Sequence, residues 1–310
     1  MRGDEVAVKA RNPSRRAPFD EDALAAVRRA FARQLVCGAG AQGDGRLERA
    51  FAETPREAFL GPGPWLLTKG VGYESAPADP VLAYQDRLIA LKPEKQINNG
   101  SPSLHAIWLH AAQIKAGKRI VHIGAGAGYY TAILAHLAGA RGRVTAVEFD
   151  EELATAAQKN LAAYRNVTVA HGDGAAWPRE PCDVIYVNFA LDRPAPPWLV
   201  RLKPGGRLIF PLGTIAREPG RSRSYGAGLC IERVEERQIF AAKSLGNAYF
   251  VRAEGDTSRL LASGAEREAL LAAFEEGGVE RVKSLRWASP ASPERAWFVG
   301  DGWSLEYDEP

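Results

Sequence analysis

Short apolar runs alternate with helical patterns through the middle of the chain. Residues 119–123 are mostly apolar and β-branched, which is typical of a strand buried on both faces of a sheet. From Tyr129 onward the apolar spacing becomes helical, with Ile133, Leu134 and Leu137 on one side. Further strands are predicted at 143–148, 166–170, 183–187 and 207–211. Strands that alternate with helices predict an α/β fold with a doubly wound, mostly parallel sheet.

Three glycines lie between the first of these strands and its helix. Gly124, Gly126 and Gly128 permit a tight turn that brings the backbone close to a ligand. Such a unit directs unpaired backbone N–H groups toward whatever binds at the carboxyl end of the strand. The spacing is GxGxG and not the dinucleotide pattern GxGxxG, because Tyr129 and Tyr130 follow the third glycine. The turn predicts a ligand site without identifying the ligand.

Polar residues follow the next three strands at positions that suit a nucleoside. Glu148 ends the second strand, where a carboxylate can accept both hydroxyl groups of a ribose. Asp150 then begins a predicted helix as its N-cap. Asp173 follows the third strand, where it can reach an adenine amino group, and Asn188 follows the fourth. These positions predict a nucleoside site along one edge of the sheet.

The series of motifs resembles the class I S-adenosylmethionine (SAM)-dependent methyltransferases, and within them the protein-L-isoaspartate O-methyltransferase family. The matching segments are 122–131, 171–174, 202–208 and 211–213, with flanking matches at 50–59 and 240–255. The resemblance covers about residues 45–255. It implies a Rossmann-like sheet of seven strands and SAM as the cofactor.

The resemblance also implies a role for each motif. The glycine turn would hold the methionine part of SAM, Glu148 its ribose and Asp173 its adenine, with Asn188 beside the methyl group. The candidate cofactor-binding residues are Gly124, Ala125, Gly126, Gly128, Tyr129, Glu148, Phe149, Asp173, Gly174 and Asn188. No metal site is predicted, because His105 and His110 lack a carboxylate or cysteine at ligand spacing. His122, where the family usually has an acidic residue, is interpreted as a core histidine.

One segment departs from the family. Residues 61–102 are rich in turn residues and are predicted as a long loop, whose end would line the acceptor pocket. The family has Gly-Gln-Thr-Ile-Ser-Gln-Pro there, whereas this chain has one more residue between Gln96 and Pro102. The Asn-Gly pair is either only a turn or a turn that also lines the site. The candidate catalytic residues, which would orient the acceptor, are Asn98, Asn99, Gly100 and Ser101.

Composition narrows the possible partners and location. A formal net charge of +3 over 310 residues gives no case for binding nucleic acid. The three cysteines, Cys37, Cys182 and Cys230, are far apart and are interpreted as reduced thiols of a cytoplasmic protein. No secretory signal or membrane span is predicted. The expected partner is a peptide or protein carboxylate, with no nucleic acid and no membrane; the oligomeric state stays open.

The chain divides into three predicted parts. Residues 1–19 are expected to be a flexible arm. Residues 20–255 are expected to form the SAM-dependent methyltransferase domain, beginning with N-terminal helices. Residues 256–310 are predicted to be a small C-terminal α+β extension that covers a sheet edge, contacts a partner or shapes the substrate entrance. Because the cofactor motifs end before it, removal of this tail is expected to leave SAM affinity intact.

Three functional hypotheses follow. A carboxylate acceptor has a pKa near about 4 and is ionised at neutral pH, so its methylation needs no general base. The lack of a Ser/His/Asp or Cys/His set therefore fits transfer of methyl to an isoaspartyl or aspartyl carboxylate in a peptide or protein. The altered loop and the tail favour an alternative, a methyltransferase that tailors one dedicated peptide or small molecule. A non-catalytic SAM-binding interaction protein is the third possibility.

Overall fold

A computed structural model of the chain describes residues 20–70, 72–218, 221–234, 238–250 and 262–310. The predicted arm at 1–19 lies outside these residues. The helices are α1 (Glu21–Gly38), α2 (Gly45–Glu53), α3 (Pro102–Ala111), α4 (Tyr129–Ala138), α5 (Glu151–Asn160), α6 (Pro196–Val200) and α7 (Gly264–Glu276). The strands are β1 (Trp65–Lys69), β2 (Gly72–Ala76), β3 (Ala90–Lys92), β4 (Ile97–Asn98), β5 (Arg119–Ile123), β6 (Arg143–Glu148), β7 (Val167–His171), β8 (Cys182–Val187), β9 (Leu202–Glu218), β10 (Arg221–Glu232), β11 (Ile239–Asn247), β12 (Ser284–Trp287), β13 (Ala296–Gly300) and β14 (Trp303–Glu306).

One large mixed sheet organises the described residues. Its strand order is β13-β14-β12-β11-β10-β9-β8-β5-β6-β7. The strands from β7 to β9 pair in parallel, and those from β9 to β13 pair antiparallel. The Rossmann-like α/β fold is therefore confirmed, with the expected seven strands, β5 to β11, of which four of the six neighbouring pairs are parallel. The sheet has ten strands here because the tail adds three to its antiparallel edge.

Alternation along the central strands places a core on each face of this sheet. Ile120 and Val184 lie in an apolar cluster with side chains of α1 to α4, whereas their neighbours Val121 and Ile185 lie in a second cluster with α6, α7 and the tail. Each strand is thus apolar on both faces, as expected of a parallel sheet covered by helices on both sides. No helix in the described ranges combines the length and apolarity needed to cross a membrane.

The tail continues the central sheet. Strand β12 pairs antiparallel with β11, and β13 and β14 form a hairpin. Leu285, Trp303 and Leu305 are buried in the cluster that also contains Leu208 of β9. Of the three roles considered for the tail, the structure shows the covering of a sheet edge. The domain boundary at 255 falls among residues that the structure leaves undescribed and stays a prediction.

The segment predicted as one long loop contains regular structure. Strands β1 and β2 form an antiparallel hairpin, and β3 pairs with β4. Trp65 and Leu67 are buried on one side of β1. The strand has only five residues, too few for its alternation of buried and exposed side chains to stand out in the sequence. The prediction of a structureless loop at 61–102 is therefore wrong. Leu91 of β3 and both residues of β4 line a cavity at the carboxyl ends of the central strands.

Candidate functional site

A cavity of about 560 Å³ lies at the carboxyl ends of β5, β6 and β8. One wall comes from the turns that follow these strands, and the facing wall comes from residues between 88 and 107 and from 247–250. Thirteen predicted site residues line it: Asn98, Asn99, Gly100, Ser101, Gly124, Ala125, Gly126, Tyr129, Glu148, Phe149, Asp173, Gly174 and Asn188. Gly128 does not line the cavity. A Cβ there would lie 2.7 Å from Leu161 Cδ1, so this glycine permits close packing of the turn on the C-cap residue of α5.

The glycine turn after β5 is hydrogen-bonded to the end of β6. The backbone N–H groups of Gly124 and Ala125 donate to the Val147 carbonyl at 2.9 and 3.1 Å. The N–H of Gly126 donates to Glu148 Oε2 at 2.7 Å, and the N–H of Asp150 donates to Glu148 Oε1 at 3.0 Å. Each carboxylate oxygen keeps a lone-pair site beyond these bonds. Glu148 is therefore fixed in place while it retains capacity to accept hydrogen bonds from a ligand.

Burial also shapes the ionisation of this glutamate. The side chain is 7% exposed, and burial raises the pKa of Glu148, although the backbone N–H groups of Asp150, Gly126 and Phe149 oppose that rise. Phe149, the next residue, is 41% exposed at the cavity wall. A fixed carboxylate beside an open aromatic ring is a suitable surface for a ribose and an adjoining base.

Asp173 and Gly174 form the turn after β7. Asp173 accepts a hydrogen bond from the Ala175 N–H at 2.9 Å and caps a short 3₁₀ turn. A Cβ at Gly174 would lie 2.1 Å from Ile123 Cγ2, so only glycine fits against the end of β5. Asp173 and Gly174 line the same cavity as Phe149.

A buried hydrogen-bonded chain runs from α4 to Asn188. His122 Nδ1 lies 2.8 Å from Thr131 Oγ1, and Asn188 Nδ2 donates to His122 Nε2 at 2.8 Å. Burial lowers the pKa of His122 to about 3, so the ring is neutral at physiological pH. Asn188 Oδ1 is buried without a hydrogen-bond partner in the described part of the chain. The core histidine thus orients an asparagine that has one unpaired acceptor and lies in the cavity wall.

The loop before α3 is a turn that also lines the cavity. Asn98 Oδ1 accepts from the Gly100 N–H at 2.9 Å, and Ser101 is the N-cap residue of α3. Gly100 has φ +75°, and a Cβ there would lie 2.5 Å from His105 Nε2. The loop therefore packs tightly on His105, and the Asn-Gly pair is both a turn and part of the cavity wall.

Two lysines join this wall to the strand ends. Lys92 Nζ lies 2.6 Å from Asp150 Oδ1, and Lys95 Nζ lies 2.9 Å from Asp150 Oδ2. Burial alone would raise the pKa of Asp150, but the two lysines and the Leu153 N–H hold it below its ordinary value. Leu91, next to Lys92, covers the turn at Gly126. These ion pairs fix the strand pair β3–β4 over the glycine turn.

Several cavity residues had no distinct signal in the sequence. His105 and Leu91 are examples, since each is one apolar or aromatic position among many. Tyr249 and Phe250 lie in a flanking segment of the resemblance that identified no individual residue. Among the described residues, no group of three or more histidine, cysteine or acidic side chains could hold a metal ion.

Comparisons with known proteins agree with this geometry. The family model for protein-L-isoaspartate(D-aspartate) O-methyltransferase matches residues 39–240, more than half of the chain. A protein-L-isoaspartate O-methyltransferase of Thermotoga maritima is 31% identical over 211 residues, which is 65% of this chain and 62% of that protein. One from Brucella anthropi is 35% identical over 178 residues, 56% of this chain and 76% of that protein. The chain thus spans less than two thirds of the Thermotoga relative.

Solved structures show the same fold. A protein-L-isoaspartate O-methyltransferase superposes with a TM-score of 0.54 at 19% identity, covering 90% of this chain and 88% of that one. A putative member from Plasmodium falciparum, in complex with S-adenosyl-L-homocysteine, gives a TM-score of 0.55 at 15% identity over 73% of this chain and 98% of that one. At these identities the structures support the fold, and the family rests on the sequence match. The chain belongs to the protein-L-isoaspartate(D-aspartate) O-methyltransferase family of SAM-dependent methyltransferases.

Proposed function

We propose that the protein transfers the methyl group of SAM to a carboxylate of an isoaspartyl or aspartyl residue in a peptide or protein. One observation carries this proposal. One wall of the cavity has residues suited to bind a nucleoside, and the facing wall has a polar, glycine-containing loop. When bound, SAM supplies a methyl group that is activated by its sulfonium. The chain has to hold both partners, exclude water and leave the acceptor ionised.

The residues of the first wall suit each part of SAM. Glu148 would accept the ribose hydroxyl groups, and Phe149 and Asp173 would enclose the adenine. The glycine turn, with Gly124 and Gly126, would hold the methionine part, and the unpaired Oδ1 of Asn188 would accept a hydrogen bond from its ammonium group. Unpaired buried polar atoms are costly in a folded protein, so this oxygen is a good candidate for a ligand contact.

The chemistry of the wall fits an acceptor that needs no base. Burial lowers the pKa of His105, which pairs with the Tyr186 hydroxyl at 2.7 Å, and burial lowers that of His122 to about 3. Both imidazole rings are therefore neutral and poor proton acceptors, because each is buried and hydrogen-bonded. A carboxylate is already a nucleophile at neutral pH, so holding it in line is the main task. Positioning of this kind contributes about 7–11 kcal/mol to lowering a barrier.

A direct assay tests the proposal. The purified protein is incubated with SAM and an isoaspartyl hexapeptide, and base-labile methyl ester formation is measured against the same peptide with an ordinary aspartyl residue. Transfer to either carboxylate supports the proposal. Binding of S-adenosylhomocysteine with no transfer to these or any other acceptor would favour the non-catalytic SAM-binding protein.

One observation favours a dedicated acceptor as the second candidate. The loop has one residue more than the family pattern, and Gly100 packs directly on His105, so the donors of the loop are expected to be displaced. A shift of about 1 Å can cost about 10²-fold in rate. We therefore expect generic isoaspartyl peptides to be poor substrates beside an ordinary repair methyltransferase assayed in parallel. Equal efficiency would restore general repair as the function.

The expected location is the cytoplasm. All three cysteines are free thiols, and burial raises the pKa of Cys182 to about 12 and that of Cys230 to about 11. Buried, protonated thiols are unreactive and suit a reducing compartment. The partners that we expect are peptide or protein carboxylates, with neither nucleic acid nor a membrane.

A further inference from the structure

A fully buried arginine contacts the loop at residues 98–101, the acceptor loop. Arg56, in the 3₁₀ turn Arg56–Phe59, has no exposed surface. Its guanidinium donates five hydrogen bonds, to the carbonyls of Ala83, Gln85, Arg87 and Gly100 and to Asn99 Oδ1, at 2.8 to 3.4 Å. All five acceptors are uncharged. The arginine therefore holds residues 83–87 against Asn99 and Gly100, which line the cavity.

The charge of this arginine is not neutralised by an acid nearby. In the described part of the chain, no carboxylate lies within 4.0 Å of the guanidinium. The adjacent Glu57 is paired with Arg28 at 3.3 Å and accepts from the Tyr84 hydroxyl. Asp86, on the same stretch of chain, accepts from the Ser103 N–H at 3.0 Å. A buried cation with only neutral partners leaves a positive potential in its surroundings, because the protein interior screens charge weakly.

The arginine also fixes the direction of a donor in the cavity wall. Asn99 Oδ1 accepts from Arg56 Nη2 at 2.9 Å and from the Ile89 N–H at 3.2 Å. Two donors on one atom determine which end of the amide is oxygen. Asn99 Nδ2 consequently lies on the other side, and it is buried without a hydrogen-bond partner in the described part of the chain. The residue is 7% exposed and lines the cavity.

We propose that Asn99 Nδ2 binds the methyl-accepting carboxylate, with Arg56 as the positioning residue that orients this amide and supplies the positive potential. The inference rests on the proposed function, which it deepens by naming the atom that recognises the acceptor. An anion satisfies both the unpaired donor and the uncompensated charge. A neutral carboxamide acceptor satisfies only the hydrogen bond, so the subsite selects for carboxylates.

The test compares two peptides in binding to the protein saturated with S-adenosylhomocysteine. One is an isoaspartyl hexapeptide, and the other has the corresponding carboxamide. The main variant is Asn99→Asp, because an aspartate keeps the acceptor for Arg56 and Ile89, replaces the free donor with an oxygen and adds a negative charge that compensates Arg56. Gln42→Glu adds the same charge at an exposed amide and is its control.

A second pair of variants tests the arginine. Arg56→Lys keeps the charge but loses the planar fork, and Arg33→Lys makes the same change in an exposed ion pair with Glu48. Arg56→Lys is expected to lower the preference for the carboxylate peptide because the Asn99 amide is no longer held. Loss of one hydrogen bond to a charged group changes affinity by about 10- to 150-fold.

The expected result is a preference of the wild type for the carboxylate peptide that disappears in Asn99→Asp and persists in Gln42→Glu. The affinity for S-adenosylhomocysteine should stay within about twofold in Asn99→Asp and Gln42→Glu, because neither side chain hydrogen-bonds to a residue of the proposed SAM site. An unchanged preference in folded Asn99→Asp, or no preference in the wild type, overturns the subsite.

The assay of methyl transfer separates this inference from the proposed function. If the wild type binds the carboxylate peptide through Asn99 but transfers no methyl group to it, the subsite stands and the proposed function is wrong for that acceptor. If methyl transfer occurs and Asn99→Asp keeps both its rate and its peptide preference, the function stands and the subsite is wrong.

Discussion

Glu148→Gln is the sharpest test of the cofactor wall, by which we mean the turns after β5 to β8 that line the cavity. The acceptor wall is the facing one, from residues between 88 and 107 and from 247–250. The substitution keeps the size of the side chain but removes its charge and turns one oxygen into an NH₂ group. In the wild type, the two oxygens accept from the Gly126 and Asp150 N–H groups at 2.7 and 3.0 Å. A glutamine can accept only through Oε1, so one of these backbone donors loses its partner.

The magnitude follows from these contacts. A buried donor left without a partner costs about 1–3 kcal/mol, so the free energy of unfolding should fall by that amount. If the free lone pairs of Glu148 accept from a ribose, the affinity for SAM should fall as well. A hydrogen bond to a charged group contributes about 1.5–3 kcal/mol, which is about 10- to 150-fold in the dissociation constant.

Two measurements separate the effects. Urea unfolding gives the change in stability, and calorimetric titration with S-adenosylhomocysteine gives the change in affinity for the folded fraction. Glu232→Gln is the matched control, since Glu232 pairs with Arg207 at 2.8 Å outside the cavity. A folded Glu148→Gln protein that loses stability but binds S-adenosylhomocysteine as the wild type does would show that Glu148 only supports the turn.

Three further predictions concern the tail, the core histidine and the loop. Trp303→Ala removes a buried tail side chain and should lower the free energy of unfolding by about 3–5 kcal/mol in denaturant titration, which a dispensable tail would not do. Burial lowers the pKa of His122 to about 3, whereas the same side chain in the unfolded chain has a pKa of about 6.5. As pH falls below about 6.5 the unfolded chain therefore binds a proton that the folded chain does not, and the free energy of unfolding should decrease. His122→Gln should reduce this pH dependence of the free energy of unfolding by up to about 1.4 kcal/mol per pH unit. Gly100→Ala combines a strained positive φ with a contact on His105, so KM for the acceptor should rise while affinity for S-adenosylhomocysteine is kept; equal KM values would contradict the close packing.

The cofactor wall was predictable because its signals are local. A buried strand, a glycine turn and a helix occupy consecutive residues, so the bounds of β5 and the start of α4 at Tyr129 agree with the sequence. Asp150 is the N-cap of α5 as expected, and accepts from the Leu153 N–H at 3.1 Å. Each of these features depends on backbone geometry over a few residues, where the sequence pattern is most informative.

The acceptor wall was not predictable because its contacts are distant in sequence. A buried arginine looks like any surface arginine until the carbonyls that surround it are known, and Arg56 contacts acceptors 27 to 44 residues away. The short strands β1 to β4 have few alternating positions to identify them. The tail strands continue the sheet beyond β11 through β12, an edge pairing that the sequence does not reveal.

The two walls therefore differ in how they respond to mutation. The cofactor wall depends on close packing between strands and turns, where a Cβ at Gly174 would come within 2.1 Å of Ile123, so its shape tolerates little change. The acceptor wall is fixed by Arg56 on one side and by Phe250 stacked on Trp108 at 5.0 Å on the other. One guanidinium can hold loops of different lengths, since it bonds to backbone carbonyls that every residue has. We therefore expect an extra residue before Pro102 to change the preferred acceptor without changing the residues of the cofactor wall.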